Sequence, residues 1–184
     1  MTTEVKEEFL DHYRTCHLSL ERFCRVLCRD REAARELVQE SLLQALIGYD
    51  RLREKEKFLS WLMGIAIRVK RSQDRKLKNW IVMDILPEKA SGLQTDSDAA
   101  LSVLRKLCRK LNEKEREVFL LFELSELSLE AIAEIQESNI NTVKTRLRRA
   151  REKLQKWLKN EYQTIDPLVN WSNLTLNMEA KKNG

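Results

Sequence analysis

Lys144, Arg146, Arg148, Arg149 and Arg151 crowd into one stretch, TVKTRLRRAREKL, which also carries Val143, Leu147, Ala150 and Leu154 at the spacing of a single helix face. Turning those four apolar residues inward projects Lys144, Arg148, Arg149 and Arg151 outward. A row of cations on a helix is chemistry for phosphates, through charge-assisted hydrogen bonds to a polyanion. Asn139 precedes the stretch as an N-cap candidate, and Asn141, Thr142 and Thr145 put short hydrogen-bonding side chains on the first turn, suited to base edges or phosphates. For such a helix alone, the alternative is a solvated basic face. The preceding segment favours the nucleic-acid reading. Ile132, Ala133 and Ile135 form an apolar side, and Ala133 is small where two helices would cross, so the pair has the pattern of a helix-turn-helix. Glu137 stands where a turn glycine is usual and Ser138 where a buried aliphatic is usual. A positive backbone angle at Glu137 is strained, which predicts a looser turn.

A second basic cluster, Arg68, Lys70, Arg71, Arg75, Lys76 and Lys78, ends a segment whose start, FLSWLMGIAI, is nearly all apolar. Cys24 and Cys28 lie one helical turn apart, with His12, Cys16 and His17 nearby. The CxxC spacing of structural zinc sites is absent, so buried reduced thiols are favoured over a metal or redox site. The chain has no Gly-rich phosphate loop, no nucleophile elbow and no HExxH, and its only two histidines sit together near the start. General acid–base chemistry therefore lacks a cast, and neither an enzyme nor a cofactor is expected.

These residues need helices to position them. The chain has 184 residues, of which 42% are hydrophobic, enough for real cores, yet only Gly 4 and Pro 2, too little turn chemistry for sheets. The fold class is all-α. Net charge is +5, but 34 basic residues face 29 acidic ones, so the excess matters only where it clusters. Helices are expected around Lys6–Leu27, Glu32–Gly48 and Lys57–Lys76, the second capped by Asp30 and ended by Gly48. The pattern lapses in DILPEKASGLQTDSDA, then resumes over Ala100–Lys110. Asn112 and Glu115 resemble a capping box for a helix through Leu124. The expected organisation is two small helical domains, 1–80 and 101–160, joined by a flexible acidic linker, 81–100. A flexible tail, 161–184, offers Leu168, Trp171 and Leu174 as a docking strip. The longest uncharged stretch, Phe58 to Ile67, is too short to span a bilayer and the N-terminus too acidic for a signal peptide, so a cytoplasmic protein is expected.

Two separated blocks resemble one family. Glu36-Leu37-Val38-Gln39-Glu40-Ser41, followed by Phe58-x-x-Trp61-Leu62-x-x-Ile65-Ala66, is similar to region 2 of the small group IV, or extracytoplasmic-function, sigma factors of bacterial RNA polymerase. Leu111-x-Glu113-x-Glu115-Arg116-Glu117-Val118-Phe119, then Ile132-Ala133-Glu134-Ile135 and Thr142-Val143-Lys144-Thr145-Arg146-Leu147, resembles their region 4. The resemblance spans roughly residues 10–158.

It implies a factor that binds core polymerase, recognises −35 and −10 promoter elements and begins strand opening for a specialised gene set. Glu36, Leu37, Val38, Gln39 and Glu40 would pack on the β′ clamp helices, the carboxylates accepting from cations. The loop from Tyr49 to Lys57, with Leu52, would capture flipped −10 bases while Arg68, Lys70, Arg71 and Arg75 hold the backbone. In the −35 groove, Lys144, Thr145 and Arg149 would lie on or near bases, with Arg146, Arg148 and Arg151 on phosphates and Asn141 and Thr142 alongside. The other side of that domain would grip the β-flap. The linker would thread a cationic RNA-exit path or serve as a plain tether. An anti-sigma protein would compete for the polymerase-binding faces. Leu52 replaces a frequent aromatic, Arg68 a frequent asparagine and Gly64 a common arginine, which points to an unusual −10 preference. Phe58 and Trp61 fit core packing better than melting. Two alternatives are a helix-turn-helix regulator independent of polymerase, and a polymerase-binding protein that occupies the sigma sites without initiating.

Overall fold

A computed structural model describes residues 3–80 and 96–161, and all regular structure among them is helical. The chain divides into two compact units, Met1–Ser91 and Gly92–Gly184. The first holds α1 (Thr3–Leu27), α2 (Arg31–Gly48) and α3 (Phe58–Trp80), with 3₁₀ turns at Tyr49–Arg51 and Lys55–Lys57. The second holds α4 (Asp96–Cys108), α5 (Glu113–Glu123), α6 (Leu129–Ile135) and α7 (Ile140–Glu161). The acidic stretch 81–95 and tail residues 162–184 lie outside the described residues, and with them the expected docking strip of Leu168, Trp171 and Leu174. The fourth helix starts at Asp96 rather than Ala100, inside the segment expected as linker.

In the first unit each helix buries one stripe. α1 contributes Phe9, Leu20, Phe23 and Cys24, α2 contributes Ala34, Leu37, Ser41 and Ala45, and the apolar start of α3 is enclosed from Leu62 through Ile67. Burial of this kind stabilises by about 25 cal/mol per Å² of apolar surface removed from water. Asp30 caps α2 as expected, accepting from Ala33 N at 2.8 Å, an interaction of about 1 kcal/mol. Gly48 closes α2 in a right-handed conformation, φ −94, so it is not a left-handed cap. Its lack of a side chain instead admits the Trp61 ring, whose Cζ2 would stand 3.3 Å from a Cβ.

The loop after α2 rests on an aromatic cluster. Phe9, Tyr49 and Phe58 meet edge to face at 5.3–5.9 Å between centroids, and Trp61 joins the edge half-buried. Phe58 is thus a core residue, as its spacing indicates. Lys55 folds back over the Tyr49 ring at 3.4 Å, and Leu52 N–H donates to Tyr49 O at 3.0 Å, which staples the loop to its own root.

In the second unit the expected capping box is complete: Glu115 N–H donates to Asn112 Oδ1 at 2.9 Å, and Asn112 N–H donates to Glu115 Oε2 at 3.3 Å. The turn between α6 and α7 is not loose. Ser138 N–H reaches back to Ala133 O at 3.0 Å and Glu137 N–H to Glu134 O at 3.1 Å, the paired bonds of a tight left-handed helix ending. Glu137 takes that left-handed position at φ 51 without being glycine. Tertiary constraints override the local preference, and the strain is retained rather than relaxed.

Among the described residues no helix is long and apolar enough to cross a membrane. Cys16, Cys24, Cys28 and Cys108 are all buried, and none of the four is in a disulfide. Burial pushes the Cys16 thiol up to about 11 and Cys108 up to about 12, and it holds Cys24 well above its ordinary value.

Glu137→Gly should raise the thermal stability of the second unit by about 0.5–1 kcal/mol, a few degrees in Tm, because it relieves the left-handed strain at a partly offsetting entropy cost. An unchanged or lower Tm by calorimetry would show that position to be unstrained. The thiols should resist a disulfide reagent at pH 8 in the native protein, and all four should react in guanidinium. Unfolding returns the thiols toward about 9 and Tyr49, pushed up to about 12 by burial, toward 10. The unfolded chain therefore loses protons first, and stability should decline as pH climbs above about 9.

Candidate nucleic-acid interface

α7 is held against its unit by carboxylates of α5, and this decides which of its cations face solvent. Glu115, Glu117 and Glu123 are buried at 4%, 2% and 8% exposure. Unpaired, such groups would be costly enough to unfold a small domain. Each has a partner. Lys153 Nζ donates to both Glu115 oxygens at 2.9 and 2.7 Å, and Arg151 places Nε and Nη2 on Glu123 Oε1 at 2.8 and 2.5 Å while its guanidinium lies 5.3 Å from the Phe122 ring. Gln136 Nε2 donates to Glu117 Oε2 at 2.7 Å, and Arg146 Nη1 donates to Gln136 Oε1 at 2.6 Å.

The expected −35 set is thereby divided. Asn141, Lys144, Arg148 and Arg149 are exposed, and Thr142 and Thr145 are half-buried beside them. Asn139 caps the helix, its Oδ1 accepting from Thr142 N at 2.8 Å. The Thr145 hydroxyl donates to Asn141 O at 2.9 Å, and Arg148 meets Glu152 at 2.7 Å in an exposed pair that contributes little to stability. Arg151 is a correction. Its sequence position suggests a phosphate contact, but its guanidinium neutralises buried Glu123, and a phosphate could recruit it only by stranding that carboxylate. Arg146 is likewise half-buried and turned toward Gln136 and Ser138.

The first unit presents two further surfaces. On α3, helical geometry of about 100° per residue puts Arg68, Arg71 and Arg75 on one face with Trp61, and Lys70 about 160° from Arg68. Lys70 is ion-paired with Asp74 on a different side of the helix from the three arginines. Arg68 and Arg75 are exposed, and Leu52 is half-buried in the stapled loop. Arg51 and Arg53 in the same loop are exposed as well; their charge beside Leu52 was available in the sequence as a signal.

On α2, Glu36 and Gln39 are exposed, and Glu40 is half-buried with its Oε1 accepting from Gln44 Nε2 at 2.8 Å. Val38 is half-buried toward α1, beside Arg31 and Arg35. Leu37 is fully buried and cannot touch a partner; it anchors the helix that presents its neighbours. Leu43 and Ile47, 54% and 72% exposed, continue the Glu36–Glu40 face toward the end of the helix, which sequence reasoning missed. Their spacing, i, i+4 and i+7, i+11 from Glu36, is the signal that would have found them.

Arg151→Ala should lower the stability of the second unit by about 2 kcal/mol through the stranded Glu123 carboxylate. Arg149→Ala should leave it within about 0.5 kcal/mol, as exposed substitutions do. Equal melting temperatures for the two variants would contradict the division of the helix into braced and free cations.

Residues 12–80 match the Sigma-70 region 2 family and residues 101–154 the Sigma-70, region 4 family. The chain is 32% identical over 142 residues to the ECF RNA polymerase sigma factor SigW of Bacillus subtilis, covering 69% of this chain and 76% of that protein. It is 33% identical over 127 residues to the RNA polymerase sigma factor SigV of the same organism, covering 66% and 74%. In three dimensions it is similar to the sigma factor RpoE of Bartonella quintana, solved in complex with the anti-sigma factor NepR, with a TM-score of 0.66 and 26% identity over 87% of this chain and 99% of that one. With both regions present in order on an all-helical scaffold, the chain belongs to the extracytoplasmic-function sigma factors of RNA polymerase.

Proposed function

We propose that the two units divide the work of promoter recognition by residue as follows. As a sigma factor the chain recruits core RNA polymerase to promoters; it does so through the α2 face, where Glu36, Gln39 and Glu40 meet cationic side chains of the β′ clamp helices and Leu43 and Ile47 extend the contact. The loop carrying Leu52 holds a displaced −10 base, and Arg68, Arg71 and Arg75 hold the strand. Leu52 supplies no aromatic face, so stacking of about 1–3 kcal/mol per base is partly forgone. α7 enters the −35 major groove with Lys144, Thr145 and Arg149 nearest the bases, Arg148 on phosphate and Asn141 and Thr142 at its leading end. The rest of the second unit meets the β-flap.

The observation that supports this reading best is the sorting of α7. Arg151 and Lys153 neutralise buried carboxylates while Lys144, Arg148 and Arg149 stay exposed around Thr145 in the helix's leading half, with Lys156 continuing the Arg149 side two turns on. An anti-sigma protein is the expected regulator, by analogy with the partner of the RpoE structure, and it would cover the same α2 face. Action on polymerase places the protein in the cytoplasm and assigns it no bond chemistry of its own.

Purified protein added to sigma-free core polymerase on a fragmented genomic library from its host should give discrete transcript 5′ ends with shared −35 and −10 sequences upstream. Binding to core without such starts would favour a blocking protein, and duplex binding without core a plain helix-turn-helix regulator. Arg149→Ala should reduce −35-dependent initiation on the order of ten-fold, the scale of one lost base contact, while core binding is kept. Loss of both together would contradict the assignment.

A further inference from the structure

Arg146, Gln136 and Glu117 form a chain of charge and dipole that the sorting of α7 leaves unexplained. Gln136 is the C-cap of α6 and only 5% exposed. Its amide nitrogen donates to Glu117 Oε2 at 2.7 Å and to Lys114 O at 3.1 Å, both in the α5 segment, and its amide oxygen accepts from Arg146 Nη1 at 2.6 Å. The amide is thus oriented at both ends, negative carboxylate against N–H and positive guanidinium against oxygen; a flipped amide would be repelled at each. Arg146 Nη1 also reaches Ser138 Oγ at 3.2 Å. The two residues it grips, Gln136 and Ser138, flank Glu137, the strained residue of the turn. A strained conformation persists where its surroundings over-determine it, and this network supplies the surroundings. It also accounts for Ser138 standing where an aliphatic is usual, since an aliphatic would offer the guanidinium no acceptor.

We propose that Arg146 is a positioning residue rather than a phosphate ligand: with Gln136, Glu117 and Ser138 it latches the turn and fixes the angle at which α7 presents Lys144, Thr145 and Arg149. The inference rests on α7 being the DNA-reading helix. A latch and a phosphate contact make different demands on the DNA. A phosphate contact strengthens binding to every sequence alike and adds about 0.9 to the slope of log K against log salt. A latch adds nothing to that slope, and its loss blurs the distinction between the right and the wrong −35 sequence, because the base contacts it aims are the ones displaced.

The test uses full-length protein bound to core polymerase, on a promoter fragment mapped by the reconstitution above and on the same fragment with its −35 element mismatched, titrated between low and moderate KCl. The variants are Arg146→Ala, Gln136→Met, which keeps the volume but removes all three of the amide's hydrogen bonds, the double variant, and Arg149→Ala. Arg146→Ala and Gln136→Met are each expected to cut discrimination between the two fragments on the order of ten-fold at an unchanged salt slope, with the double variant no worse than either single. A slope shallower by about 0.9 for Arg146→Ala, with Gln136→Met unaffected, would overturn the proposal in favour of a phosphate contact. A uniform loss on both fragments, tracking a fall in Tm, would overturn it in favour of a purely structural role. If Arg149→Ala changes neither slope nor discrimination, the reading of α7 itself fails, independently of the latch.

Discussion

Burial of three carboxylates on α5 is the constraint on which the second unit depends. Glu115, Glu117 and Glu123 lie at 4%, 2% and 8% exposure, and desolvated carboxylates persist only with partners. The partners come from α7 for two of them and from the α6 cap for the third, so satisfying α5 fixes the rotation of α7 about its own axis and its position along α5. The apolar stripe of Val143, Leu147, Ala150 and Leu154 would tolerate small rotations; ion pairs at 2.5–2.9 Å do not. Electrostatic satisfaction of the interior therefore determines what the exterior displays.

The first unit solves a different problem with apolar means. Its loop exposes Arg51 and Arg53 on either side of half-buried Leu52 and is yet anchored, and the anchor is Tyr49, fully buried among Phe9 and Phe58 with Lys55 across its face. The same design recurs on α2, where buried Ala34, Leu37, Ser41 and Ala45 seat the helix and leave Glu36, Gln39, Leu43 and Ile47 outward. In both places the candidate contact residues are neighbours in sequence of the residues that anchor them, alternating in and out.

Much of this was legible in the sequence. Periodicity placed each helix of the described residues for which bounds were expected to within about four residues at either end, and it located the Asp30 cap and the Asn112–Glu115 box, because those signals are local: a hydrogen bond three residues away or an apolar repeat every three to four. α4 was placed four residues late because its first turn is acidic and linker-like in composition. The candidate sites were legible only in part. A helical wheel places Arg151 at the edge of the apolar stripe, about 60° from Leu154, but does not show that Glu123, 28 residues earlier, waits for it or that Arg146 answers to Gln136 across the turn. Leu37 entered the polymerase-binding set as part of a contiguous motif, although its own period places it inside. The tight turn at Glu137 was missed because tertiary bonds outweigh the cost of a left-handed glutamate. For Arg151 and Arg146 the error lies in a partner beyond the reach of a local pattern.

The four buried thiols carry a consequence for signalling. Oxidants and electrophiles act on exposed thiolates, and here all four sulfurs are enclosed, with burial pushing the Cys16, Cys24 and Cys108 thiols up and so favouring their protonated form. Thiol chemistry on this chain is therefore a poor reporter of the cell's redox state. A redox signal would have to reach the chain through something other than its own sulfur, for the interior of each unit keeps these four atoms out of reach.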